Sequence, residues 1–124
     1  MLQLKLIDFG LCTNYLDENG NHIAKSALGF RGNIAFSSPN AMMNNSTSRR
    51  DDLVSLAYLL LYLHNSTLAF FGINQTESEF QEILDAKLNC STQALCGKKS
   101  EELLAFVNEI FNMRFDTTPN YKKL

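Results

Sequence analysis

Residues 48–63 read SRRDDLVSLAYLLLYL, and their pattern decides what kind of chain this is. Ser48 with Asp51 three positions on fits a capping box, in which hydroxyl and carboxylate each satisfy a free backbone N–H at a helix start. Asp51 and Asp52 also suit the positive end of the helix dipole. From Leu56 to Leu63 apolar residues occupy every face, as in a helix enclosed by protein. The apolar stretch Leu53–Leu63 is about half of the ~20 residues that a membrane span needs. A buried helix is expected, and no membrane partner.

Downstream of this helix the 3.6-residue period continues. A second helix is expected over about Glu77–Leu88, with Phe80, Ile83, Leu84 and Leu88 on one face and Thr76 and Glu79 as its cap. A single turn over Thr92–Cys96 should stop at Gly97. A third full helix, Ser100 to about Asn112, aligns Leu103, Leu104, Val107, Ile110 and Phe111. The tail RFDTTPNYKKL reads as a loop with Pro119 and an aromatic anchor.

Upstream the pattern is irregular. Residues 37–47 carry Pro39 and the pair Asn44-Asn45, and read as loop. Tyr15 to Gly32 is a long polar loop with turn chemistry at Asp17-Glu18-Asn19-Gly20. Leu2-Gln3-Leu4-Lys5-Leu6 alternates apolar and polar, as a half-buried strand does. The expected architecture is mainly α: one N-terminal strand, a long loop, then about three helices.

Bulk properties agree with one globular domain at most. The chain has 124 residues, 45% of them hydrophobic, and a formal net charge of −2. That balance, without a run of either sign, argues against nucleic acid as a partner. Cys12, Cys90 and Cys96 form no CxxC, and His22 and His64 stand alone, so no metal site is read from them. An odd cysteine count with no secretory leader in the sequence suggests a reducing compartment, cytoplasmic or nuclear.

Asp8-Phe9-Gly10 behind the apolar run, followed by the other blocks in order, resembles a protein kinase, and specifically the casein kinase 1 family. LKLIDFGLCTNYLDENGNHI is similar to that family's strand, metal-binding motif and opening of the activation segment. FRGNIAFSSPNAMMNNSTSRRDDLVSLAYLLLYL is similar to its segment ending in Ser-Arg-Arg-Asp-Asp-Leu, and RFDTTPNYKKL to a motif near its domain end. The resemblance implies a partial kinase large lobe over 1–124: Asp-Phe-Gly strand and turn (1–14), activation-segment-like loop (15–47) and helical portion (48–124).

By the same resemblance Asp8 is the magnesium ligand of a complete domain, with ATP as cofactor, Phe9 packs against the small lobe, and Gly10 lets the backbone turn. Asp52 is the helix aspartate that accepts from the catalytic-loop backbone, and Arg49, Arg50 and Asp51 complete the helix motif. Arg49 and Arg50 read equally well as solvated charges on a first turn. No residue of this chain matches a catalytic aspartate. It contains no GxGxxG and no His-Arg-Asp, elements that precede Asp-Phe-Gly in kinases. The chain alone is therefore expected to be inactive and to bind neither magnesium nor ATP tightly. A non-catalytic, pseudokinase-like protein-binding module is the alternative.

The residues also depart from the family pattern. Gly32-Asn33 stands for Gly-Thr, Ala57 for a glycine, and Leu68-Ala69-Phe70 for Leu-Pro-Trp. Ala35 stands where the family has an arginine that helps bind anions such as a phosphorylated substrate. NQTESEFQEIL, residues 74–84, is acidic where the family is basic. Both changes argue against acidic or pre-phosphorylated substrates, which need positive charge. In the family, upstream elements help enclose the Leu53–Leu63 helix. Alone, this chain should expose an apolar patch there, be poorly soluble or dimerise, and require either a protein partner or the missing kinase portion to cover it.

Overall fold

A computed structural model of the chain describes residues 3–23, 29–70 and 77–124. The described part is mainly helical. Helix α1 spans Pro39–Met42, α2 Arg49–Asn65, α3 Glu77–Asn89, α4 Thr92–Cys96 and α5 Leu104–Phe111, with a 3₁₀ turn over Glu101–Leu103 leading into α5.

Helix α2 forms where the capping box places it. The Asp51 carboxylate accepts the Ser48 N–H at 2.9 Å, and the helix runs for 17 residues. It ends at Ser66, whose left-handed backbone (φ 60°) lets its N–H reach the Tyr62 carbonyl. One face is core: Val54, Ala57, Tyr58 and Leu61 are buried. Tyr58 makes edge contacts with Phe70 (centroids 5.4 Å apart) and with Phe111 on α5 (5.7 Å), so α5 lies along α2. The rest of the core comes from Met42, Leu68, Ile83, Leu84, Leu95, Cys96, Val107 and Ile110.

The opposite face of α2 is not enclosed. Leu56, Leu59 and Leu63 are 42%, 39% and 67% exposed. This is the apolar patch expected of the helix when nothing lies over it.

The end of α2 is fastened by a polar cluster. Ser100 is fully buried; its Oγ donates to Asn65 Oδ1 at 2.8 Å and lies 2.8 Å from His64 Nδ1. His64 Nε2 is 3.2 Å from Glu102 Oε1. His64 is thus a structural residue that joins the end of α2 to the 3₁₀ turn.

Three sequence expectations are corrected. The strand expected over Leu2–Leu6 is absent from its described residues: Gln3–Leu6 carry no strand, and Leu4 and Leu6 are exposed. Alternation marks an apolar face, but a strand also needs a neighbour, and no described segment pairs with it. The one strand-type pairing among the described residues is the isolated bridge Leu16↔His22. Second, the loop over residues 37–47 contains α1. Ser38 Oγ accepts the Ala41 N–H at 3.1 Å and Pro39 starts the turn, so four residues suffice. Third, Leu88 is exposed and Lys87 takes the buried place on α3. Residues 83 and 87, one turn apart, share the inward stripe. Thr76, expected in the α3 cap, lies outside the described residues.

Candidate functional site

A cavity of about 510 Å³ lies between the segment Gly10–Tyr15 and the start of α2. Its walls include Gly10, Thr13, Arg31, Ser38, Asp51 and Asp52. The site therefore joins the end of the Asp-Phe-Gly motif to the acidic first turn of the long helix.

Two adjacent aspartates play opposite parts in it. Asp51 is 4% exposed and saturated with donors. Its Oδ1 accepts from Ser38 Oγ at 2.7 Å and Asn40 Nδ2 at 3.3 Å; its Oδ2 accepts from Ser48 N–H at 2.9 Å and Arg50 Nη2 at 3.4 Å. One carboxylate thus ties the α1 cap to the α2 cap. Asp52, exposed as a whole residue, lines the cavity and makes no hydrogen bond among the described residues. Burial of its carboxyl at the cavity wall, and then the Asp51 charge beside it, push its pKa above the usual carboxylate value.

Asp8 lies outside the cavity lining. It adopts a left-handed backbone (φ 60°), uncommon for a non-glycine residue, and its Oδ1 accepts the Gly10 N–H at 3.4 Å. Phe9 is exposed, and its carbonyl accepts the Cys12 N–H in a tight turn. A Cβ at Gly10 would sit 3.4 Å from Asp8 Oδ1, an ordinary contact. Asp8 offers one carboxylate, and no group of three or more His, Cys, Asp or Glu able to hold a metal ion occurs among the described residues. Magnesium favours a near-octahedral set of oxygens shared with substrate phosphates. The residues present do not by themselves fit a magnesium site.

Arg49 and Arg50 are half-buried, and their side chains reach other segments of the chain rather than standing free in solvent. Arg49 lies over the Tyr15 ring at 4.7 Å and donates through Nη2 to Thr118 Oγ1 at 3.2 Å. Arg50 lies 5.9 Å from the Phe115 ring centre and pairs with Asp51. His22 packs against Phe115, 5.0 Å between centroids. The two arginines clamp the Tyr15–His22 loop and the C-terminal tail onto the start of α2.

Lys87 is the residue that sequence reasoning missed. It is 4% exposed, and its Nζ donates to the carbonyls of Ile34 (2.6 Å) and Ser37 (2.7 Å). Burial pushes its pKa down to about 7. It holds the segment before α1, which carries Ala35, against the helical core. Its signal was its place one turn after Ile83 on an otherwise apolar stripe.

No family model matches the chain. The Asp-Phe-Gly turn, the loop folded back on a capped, largely apolar helix, and the helices packed beneath it make this a portion of the large lobe of a protein kinase. The family is casein kinase 1: the chain is 34% identical over 125 aligned residues to casein kinase 1-like protein HD16 of Oryza sativa subsp. japonica, and belongs with such proteins from the Asp-Phe-Gly motif onward. The match covers 98% of this chain but only 18% of that relative.

Proposed function

We propose that this chain is the C-terminal part of a casein kinase 1-like serine/threonine kinase domain, and that phosphoryl transfer from ATP takes place only when the rest of the domain is joined to it. The observation that carries this reading is the match over 98% of the chain, with the Asp-Phe-Gly and Ser-Arg-Arg-Asp-Asp-Leu blocks in order. The cavity supports it. Asp52, which accepts no hydrogen bond among the described residues, lines this cavity, and by the resemblance its carboxylate would accept from the catalytic-loop backbone. In a completed domain Asp8 is one oxygen donor for magnesium, and phosphates and other residues supply the others.

The test is a pair of kinase assays with ATP, magnesium and a neutral serine peptide. The chain alone should transfer no phosphate. The chain fused behind the small lobe and catalytic loop of a casein kinase 1 domain should be active, and Asp8→Asn should cost it ~10²-fold or more. Activity of the chain alone, or a folded, nucleotide-binding fusion with no activity, overturns the reading.

A second reading is favoured by the Leu56, Leu59 and Leu63 face: a non-catalytic module that binds a protein partner through this exposed helix. An inactive but folded fusion points to it.

A further inference from the structure

Arg49 has no anionic partner among the described residues. The face of its guanidinium lies over Tyr15, its Nη2 donates to the neutral hydroxyl of Thr118, and its Nε is buried with no acceptor. No carboxylate pairs with it among the described residues: the ion pairs are Arg50–Asp51, His64–Glu102, Arg114–Asp116 and Lys123–Glu109. Arg50 also has a buried Nε with no acceptor. The first turn of α2 therefore carries more donors than the surrounding side chains satisfy. The neutral hydroxyl of Thr118 is a weaker acceptor for this guanidinium than an anionic oxygen in the same place would be.

Thr118 is well placed to change that. It is exposed, while Pro119 next to it is buried and anchors the tail. Thr117, its neighbour, is differently engaged: its Oγ1 accepts the Arg114 N–H at 3.0 Å and closes a turn. The tail backbone around Thr118 is held by turn hydrogen bonds, such as Thr117 N–H to Arg114 and Lys123 N–H to Asn120. It can open to an extended form without breaking a helix or a sheet.

We propose that Thr118 is a phosphorylation site and that Arg49 receives its phosphate, locking the C-terminal tail to the start of α2 and to the Tyr15 loop. The donor is a nucleoside triphosphate and the enzyme a separate serine/threonine kinase. A bond forms between Thr118 Oγ1 and the γ-phosphorus. The bond from that phosphorus to the bridging oxygen breaks, the nucleoside diphosphate leaves, and the hydroxyl proton passes to the kinase's base. The product places up to two negative charges and three strong acceptor oxygens where Arg49 now meets a hydroxyl. This inference does not depend on the chain's own catalytic competence.

The experiment uses the full chain with phosphothreonine genetically encoded at position 118, and follows the second ionisation of the phosphate by ³¹P NMR. In free phosphopeptides that step falls near ~6. In the native chain it should lie lower by about half a unit or more than in the same chain in urea, because a guanidinium favours the dianion. Arg49→Gln should remove the difference. That variant also loses the Tyr15 stack, so a chain phosphorylated at Thr117, whose oxygen meets a backbone N–H rather than a guanidinium, serves as the second comparison and should shift less between the two solvents. Equal ionisation of the Thr118 phosphate in buffer and urea overturns the proposal. So does an equal shift at Thr117, or a shift that survives Arg49→Gln.

Discussion

Lys87 holds its ammonium 4.8 Å from the centre of the Tyr58 ring, inside the core, and no carboxylate pairs with it among the described residues. Two backbone carbonyls and the faces of Tyr58 and Phe70 replace the usual counter-ion. Buried charges are normally paired because desolvation is costly, so the lysine must offset that cost through its hydrogen bonds. Its contacts join α2, α3 and the segment before α1. Lys87→Met keeps the apolar stem but leaves the Ile34 and Ser37 carbonyls without a donor. Urea denaturation should show a loss of ~2 kcal/mol. Hydrogen exchange should rise at residues 33–38 before it rises in α5. An unchanged midpoint and uniform exchange would remove Lys87 from this role.

The same residue sets a pH dependence. Burial depresses the Lys87 pKa from 10.5 to about 7 in the folded chain. Between those values the unfolded chain binds the extra proton, so stability rises with pH from about 7. Cys90 and Cys96 have thiol pKa values raised by burial above 9.0, and Tyr58 has its phenol raised above 10.0. These groups keep their protons longer when folded and lower stability as pH rises beyond 9. The clean window is therefore about pH 7 to 9. Denaturation at both ends should show the wild-type chain gaining stability relative to Lys87→Met. Parallel curves for the two proteins would contradict the assignment.

Much of the fold was legible in the sequence. Helix α2 announced itself by Ser48 and Asp51 ahead of an apolar run; α3, α4 and α5 followed from helical spacing, and α4 stops at Gly97 as that glycine suggests. What escaped was either too short for a period or depended on distant partners. Helix α1 is one turn. The alternation at Leu2–Leu6 reported an apolar face but not the absence of a neighbour. The site was legible as motif but not as geometry. Lys87 meets carbonyls 53 and 50 residues away, and Arg49 meets a hydroxyl 69 residues away. A lysine inside a stripe and an arginine on a first turn both look like solvent-facing residues until tertiary contacts bury them.

Asp51 and Asp52 should respond to substitution in opposite ways. Asp51 is buried and accepts from Ser38, Asn40, Ser48 and Arg50. Asp51→Ala leaves several donors unpaired and should cost ~3 kcal/mol in thermal or denaturant unfolding. Asp52 is exposed as a residue, accepts no hydrogen bond among the described residues, and has its pKa raised by partial desolvation of its carboxyl at the cavity wall and then by Asp51. Asp52→Asn should change stability by no more than ~0.5 kcal/mol, with any shift toward greater stability. Equal losses at both positions would mean that Asp52 carries structure in this chain.

The open face of α2 is the last feature with a measurable consequence. Leu56, Leu59 and Leu63 recur at helical spacing and remain exposed, so their burial contributes little to the folded chain. A contiguous apolar face of this kind favours self-association and binds hydrophobic dyes. Replacing all three by Gln keeps good helix formers on the surface. Sedimentation velocity should show the wild-type chain associating with rising concentration and the triple variant remaining monomeric, with lower dye fluorescence. Denaturant midpoints of the two should agree to within ~1 kcal/mol of stability, because the core face of Val54, Ala57, Tyr58 and Leu61 is untouched. A wild-type chain that stays monomeric and dark to the dye would show that this face is not adhesive. A triple variant that unfolds would show that these leucines pack against something in the chain after all.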